Sequence, residues 1–365
     1  MAANFDLSNL ALQALCPNNE LKYDDKGLPS VMVKIPKKTY AELGLGSSTA
    51  TFPAFIVNGQ EVDAIYISKY QNIVQNGRAY SLPGQDPATG TGIDLNGSIA
   101  KCTAKGAGWH LMTAIEWAAV ALFCKANGTM PKGNNNYGKD SSDSVYQAIP
   151  SMARDSSNRI QRVATGTGPL SWSHDGTPAG IWDLNGNVSE WVGGIRTVYG
   201  EVQILANNNA ADSAHSQAAD SAEWKAISAA DGTLIDPNGS GTTSGSVKLR
   251  WDTNHWKYTD SSTSDGTTTY KDCAFEDIVA DSSISAAATL LLQALGMLKY
   301  DSSAGAYQSD RLYANSYEAE RAFLRGGLWA SGAYAGVFSS HGSYTRSSTG
   351  AAIGFRSAFV ELPSA

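Results

Sequence analysis

The sequence predicts a soluble protein of the α+β class, and three observations carry that expectation. One helix is signalled at both of its ends. Short stretches alternate apolar and polar residues as half-buried strands do. A long middle segment is punctuated by Gly, Asn, Asp and Ser in the manner of hairpin turns. With 365 residues the chain can bury a sizeable core, as one large domain or two.

The elements follow in chain order. Leu7, Leu10 and Ala14 recur at helical spacing and open a leader that runs to about residue 50. Within it, Val31, Val33 and Ile35 alternate through Ser30–Pro36 and predict a strand. The Gly-, Ser- and Thr-rich run 44–51 reads as a linker to a main domain spanning 51–365. There, residues 61–70 read as a second strand. Thr113 and Glu116 have capping-box spacing, in which each side chain satisfies an orphan amide at a helix start. Trp117, Val120, Ala121 and Cys124 then give one buried helical face, and Asn127-Gly128 is a natural stop. A further helix is expected from about Ser283 to Lys299, with Ile284, Ala288, Leu291, Leu295 and Leu298 on one side. Between about 198 and 280 the turn signals Asn207-Asn208-Asn209 and Asp236-Pro237-Asn238-Gly239 mark an insertion. It reads as hairpins anchored by Trp251, Trp256 and Tyr258, with a flexible low-complexity loop as the alternative. No internal repeat of fixed period is present.

Composition excludes several function classes. A net charge of -7 with no Lys/Arg cluster argues against nucleic acid as a partner, because phosphate binding needs clustered cations. No apolar run approaches the length of a bilayer span, so membrane insertion is not expected. The segment Met1–Leu7 lacks the basic and apolar regions of a secretory signal. Cys16, Cys102, Cys124 and Cys273 have no CxxC spacing, and read as buried free thiols.

Four Trp- or Phe-centred motifs are more specific. They are Gly108–Trp117, Gly180–Trp191, Arg325-Gly326-Gly327-Leu328-Trp329 and Gly354-Phe355-Arg356. As an ordered set, from about Phe55 to Val360, they resemble the C-type lectin fold of the formylglycine-generating (sulfatase-modifying factor) superfamily. The nearer resemblance is to the variable proteins of diversity-generating retroelements, the group carried by gut bacteria and their prophages. In those proteins the last motif block, here about 324–358, is copied from a template whose adenines are mutated.

The genetic code offers a check on that resemblance. Free substitution at the two adenines of an AAC codon never yields Lys, Glu, Gln, Met, Trp or a stop. Leu328, Ala330, Ser331, Tyr334, His341, Ser343, Tyr344, Gly350, Ala351 and Ala352 share no chemistry, yet all obey this restriction. No Lys, Glu, Gln or Met occurs from Arg321 to Ala358. The resemblance implies a solvent-facing ligand patch made of Leu328, Ala330, Ser331, Tyr334, Ser339, Ser340, His341, Ser343, Tyr344, Ser347, Ser348 and Ala351. Mixed Tyr and Ser suit such a surface, since Tyr brings contact area with few torsions and Ser brings adaptable hydrogen bonding.

Enzymes of the resembled superfamily use reactive cysteines in the C-terminal block, and a thiolate cannot be replaced by Ser or Ala. No cysteine follows Cys273, so catalysis of that type is not expected. No cofactor is required. In the resembled family the segment holding Asp183, Asn187 and Glu190 can help bind a structural calcium ion, which takes oxygen ligands. The other reading of those residues is a tight turn in a buried hydrogen-bond network. Gly326 and Gly327 are expected to permit close backbone approach, and Trp329, Phe338 and Phe355 to fill the core. Arg325 and Arg356 should pair with buried acceptors.

The expectation is therefore a non-enzymatic binding protein whose ligand is a protein or another molecule on a bacterial or host surface. The rivals are a catalytic member of the superfamily and an undiversified component of a phage tail or cell surface. Localisation to a phage virion or bacterial surface is expected, with homo-oligomer or virion assembly through the N-terminal segment.

Overall fold

The computed structural model describes residues 6–362; the first part of the stretch read for a secretory signal, 1–5, lies outside them. The chain begins with α1 (Leu7–Leu15), β1 (Asn19–Tyr23) and β2 (Pro29–Pro36). Two small hairpins, β3 (Ile56–Val57) with β4 (Gln60–Glu61) and β6 (Ile73–Gln75) with β7 (Arg78–Tyr80), flank β5 (Ala64–Ser68). Then come α2 (Leu95–Thr103), β8 (Trp109–Leu111) and α3 (Ala114–Asn127). The middle of the chain supplies β9 (Ser189–Val198), β10 (Glu201–Ile204), β11 (Lys225–Ile227), β12 (Leu234–Ile235), β13 (Lys248–Asp252) and β14 (His255–Thr259). It continues through β15 (Lys271–Ala274), β16 (Val279–Ala280) and α4 (Ala286–Ala294). The C-terminal block holds β17 (Arg311–Ala314), β18 (Arg321–Gly326), β19 (Gly336–Tyr344), β20 (Ile353–Phe355) and β21 (Ser357–Val360).

Two open sheets result, so the class is mixed α+β with a hairpin-rich region. The smaller has the order β1-β2-β5-β21-β8, and all its neighbours are antiparallel. The larger runs β15-β17-β19-β18-β9-β10-β13-β14-β16, with β11 and β12 beside β10 and β20 beside β9. The last two strands tie the sheets together. β20 pairs in parallel with β9, and one residue later β21 enters the smaller sheet. Arg356 is the residue at that crossing.

Helix α3 forms where the capping box predicts it. The Thr113 hydroxyl accepts from the Glu116 amide at 3.2 Å, and the Glu116 carboxylate accepts from the Thr113 amide at 2.9 Å. Gly128 ends the helix in the left-handed region at φ 67°. The expected single buried face is an underestimate, because every residue from Ala114 to Leu122 is buried. A helix apolar all round belongs in a core, and here Leu43, Phe52, Phe55 and α4 share one apolar cluster with it.

Three sequence expectations change. The leader is not set apart, since β2 pairs with β5 from Met32↔Ser68 to Pro36↔Ala64. Nor is the Gly/Ser-rich run 44–51 a free linker, because Leu45 within it and Leu43 just before it are buried in the main core. The helix expected to reach Lys299 stops at Ala294, where Gly296 takes a positive φ of 61°.

The segment 198–280 does form hairpins. Trp251 faces Trp256 across the β13–β14 ladder with ring centroids 5.2 Å apart. It is not an appendage on the domain, however. β10, β13 and β14 continue the large sheet from β9, β15 pairs with β17 at the other edge, and Trp256 and Tyr258 lie in the main core.

Candidate ligand-binding surface

The Gly, Trp and Arg skeleton of the C-terminal block is internal. The Arg356 guanidinium makes two bonds to the Glu190 carboxylate, both 2.6 Å, and donates to the Ser68 and Trp182 carbonyls at 3.0 and 3.1 Å. It thereby joins β5, β9 and the crossing between the sheets. Arg325 donates to the Leu295 and Gly296 carbonyls at 2.8 and 3.1 Å, so it caps the C-terminal end of α4. Burial lowers its pKa to about 10. At Gly326, where φ is 86°, a Cβ would sit 2.8 Å from the Leu184 carbonyl oxygen, which explains the glycine. Trp329, Phe338 and Phe355 are buried as expected.

The three candidate calcium ligands are close together but committed elsewhere. The Asn187 side-chain oxygen accepts from Asn134 Nδ2 and the Val163 amide, while its Nδ2 donates to Gln71 Oε1 and the Val163 carbonyl. Glu190 is held by Arg356 and by Gln71 Nε2 at 2.9 Å. Asp183 Oδ2 accepts from the Gly166 amide, which leaves one buried oxygen, Oδ1, without a partner. Burial pushes this carboxyl up to about 6. A calcium ion needs several free oxygen donors, and this set supplies one, so the residues do not fit the ion. Among the described residues no group of three or more His, Cys, Asp or Glu could hold a metal.

The candidate ligand positions fall into three places. Along β19 side chains alternate, and the pairings Leu312↔Ser340 and Tyr313↔His341 show which face each residue takes. Ser340 shares the core side with Leu312 and Phe338, is 3% exposed, and has an unpartnered hydroxyl. The expectation that it faces solvent is therefore wrong. Ser339 is also buried, but on the opposite face.

Mainly on that opposite face a cup of about 190 Å³ is lined by Leu328, Ser331, Ser339, His341 and Tyr344, with Ser189, Leu324, Gly327, Tyr313 and the buried Ser340 completing it. Ser331 Oγ accepts from the Leu328 amide at 3.0 Å and fixes the loop above. Ser343 bonds His341 Nδ1 at 3.1 Å. Tyr334, 45% exposed, stands outside the cup with the Arg311 guanidinium 4.4 Å from its ring centroid, and Ala330 is exposed nearby in sequence. The third place is the loop 345–352, which carries Ser347, Ser348 and Ala351. It does not line the cup. Arg346 anchors it to Glu320 and Asn96, and the Ala351 carbonyl accepts from Arg162.

Sequence reasoning missed the aromatic residues beside β19. Tyr313 on β17 stacks on His341, with centroids 4.8 Å apart and planes 14° apart, and Tyr270 approaches from before β15 at 6.1 Å. Tyr344 closes the other side of the imidazole at 4.7 Å. Arg311 pairs with Asp272 across β15 and β17. Their adjacency depends on a strand order that no local pattern announces. Burial among these rings pushes the His341 imidazole down to about 4, so it is neutral at pH 7.

No comparable array of reactive groups accompanies the surface. All four cysteines are buried free thiols, and burial raises the thiols of Cys102, Cys124 and Cys273. His110 is locked between the Gly108 carbonyl and Glu116, both 2.9 Å away. Burial lowers His174 to about 4, and its Nδ1 accepts from the Ile181 amide. No described helix is long and apolar enough to cross a membrane.

No protein-family model matches the chain, and no curated protein matches it. Among solved structures, the chain is similar to the Major Tropism Determinant P3c variant at 11% identity and a TM-score of 0.32. The U1 variant of the same determinant gives the same identity and score. Each alignment covers 94% of this chain and 71% of the other.

Proposed function

We propose that this chain is a non-enzymatic ligand- or receptor-binding protein. In this reading its C-terminal surface is diversified by adenine mutagenesis from a retroelement and presented on a phage virion or bacterial surface. One observation carries it. Residues of unrelated chemistry (Leu328, Ser331, His341, Tyr344) converge on one cup, while Arg325, Gly326, Trp329 and Arg356 around them are buried. Such a division lets side chains change without disturbing the fold. The thiol chemistry of the resembled enzymes has no counterpart here, which favours binding over catalysis.

The gene tests the retroelement part. A near-repeat of the segment encoding 324–358, with adenines at the variable codons, and an adjacent reverse transcriptase gene are the expected finding; their absence sinks it. Binding is tested with bacterial surface fractions, where the Tyr334→Ala, Tyr344→Ala double variant should lose capture.

Assembly through the N-terminal segment is proposed on a separate observation. Helix α1 turns its apolar stripe outward: Leu7 and Leu15 are 69% and 83% exposed, and Leu10, Ala11 and Ala14 are also exposed. Its Asn9 side chain accepts from the Leu21 amide, which holds the helix on edge strand β1. A Leu10→Glu, Leu15→Glu variant should sediment as a smaller species than the parent chain; an unchanged mass refutes this part. For Asp183, Asn187 and Glu190 we propose a hydrogen-bonded brace under β9, without calcium.

A further inference from the structure

We propose that the cup beside β19 receives one uncharged aromatic side chain of a protein ligand, held against Tyr313, a wall outside the variable segment. The proposal rests on the ligand-binding reading above and names the group that enters.

Size is the first argument. Apolar cavities of about 150 Å³ admit a benzene ring, and this cup of about 190 Å³ leaves room for a ring and the carbon that carries it. Charge is the second. None of the lining residues is Asp, Glu, Lys or Arg, and the imidazole of His341 is neutral. A carboxylate or ammonium would lose its water there and gain no counter-charge. The ion pair of Arg311 with Asp272 lies against Tyr334, outside the cup.

Polar capacity bears on which group enters. Ser331 Oγ accepts from the Leu328 amide and Ser339 Oγ donates to the Arg311 carbonyl at 3.4 Å, while the Ser340 hydroxyl is unpartnered. One such group suits a phenol hydroxyl, whereas a sugar ring carries several hydroxyls that each need a partner when buried. Leu324 and Leu328 supply apolar surface beside it. Tyr313, His341 and Tyr344 add ring faces and edges, whose quadrupoles favour a further aromatic ring. Aromatic side chains with apolar bodies also dominate the energetic centres of protein interfaces, where they fill small desolvated pockets.

The location adds a consequence. Tyr313 belongs to β17, outside 324–358, so variation retunes the cup against a constant aromatic wall. Different variants would then differ in which aromatic group they accept.

The test uses the intact chain and small probes: toluene and 4-methylphenol for the aromatic group, with acetate, methylammonium and methyl glucoside as contrasts. Ligand-observed NMR gives affinities, and the His341 ring resonances report the place. Both aromatic probes should bind and shift His341, and the contrasts should not. Filling the cup with Ser339→Phe should weaken the aromatic probes about tenfold or more, and Tyr313→Ala should weaken them about fivefold. Tyr313→Phe should keep binding, which controls for folding alongside thermal melts of every variant. Aromatic probes that fail to bind, that bind Ser339→Phe unchanged, or that bind less tightly than a contrast overturn the proposal. The two readings fail separately. If Ser339→Phe still captures a surface ligand through exposed positions such as Tyr334, the cup is refuted and the binding surface stands. If the probes bind as expected but no variable position affects capture, the surface reading falls instead.

Discussion

Arg356→Met should destabilise the protein by about 3–5 kcal/mol, the range for removing one partner of a buried ion pair. Both side chains are essentially inaccessible, at 0% and 1% exposure. The substitution strips Glu190 of two 2.6 Å bonds and leaves its carboxylate with Gln71 as the remaining side-chain donor. It also removes a donor from each of the Ser68 and Trp182 carbonyls. With an unfolding entropy of about 2.1 cal/mol/K per residue, a 365-residue chain changes stability by roughly 0.8 kcal/mol per degree near its melting point. A loss of about 4 kcal/mol thus lowers Tm by roughly 5 °C for cooperative unfolding. Differential scanning calorimetry and urea titration measure it directly. Tyr334→Ala, at an exposed position, should fall within about 0.5 kcal/mol of the parent. If Arg356→Met costs no more than Tyr334→Ala, the separation of buried skeleton from replaceable surface is wrong. A Glu190→Leu, Arg356→Met double variant should recover part of the loss, because no unpaired charge remains buried.

Asp183 gives a pH signature. Burial holds its folded pKa at about 6, above the ordinary carboxyl value of 3.8, so its contribution is fully present below pH 3.8 and is lost as pH rises through 6. Relative to Asp183→Asn, the parent should lose up to roughly 3 kcal/mol between pH 4 and 7 in urea titrations; parallel profiles refute the assignment. Adding EDTA should leave Tm unchanged, and a drop of several degrees reinstates a structural cation. Gly336→Ala places a Cβ 2.0 Å from Asp310 Oδ1 and should cost about 3 kcal/mol or more, whereas Gly332→Ala, open but at φ 60°, should cost only about 1–2 kcal/mol. Equal costs in denaturant melts would show that the packing at β19 is looser than described.

Legibility divided along the range of the interactions. The α3 capping box, the Gly128 stop and the Trp251–Trp256 hairpin were readable because each joins residues a few positions apart. Arg356 and Arg325 were readable as buried anchors because an unpaired guanidinium inside a core is too costly to persist. Their partners were not, since Glu190 lies far back in the chain and the Leu295 carbonyl is a helix end that could not be located to the residue. Ser340 was misplaced for a related reason. Its neighbours Ser339 and Ser343 look the same to a chemical eye, and only the pairing with Leu312 decides which face it takes.

The sequence by itself determined the α+β class, the hairpin-rich middle, the buried thiols and the buried Arg325, Trp329, Phe338 and Arg356 of the C-terminal block. These follow from local spacing and composition. Tertiary structure alone decided that α3 is buried on every side, that 198–280 builds both edges of one sheet, and that Tyr313 stands beside His341. It also decided which of the candidate ligand residues line a cup and which do not. The physical reason is that a strand's face and neighbours are set by non-local pairing, and a shift of one residue turns every side chain over.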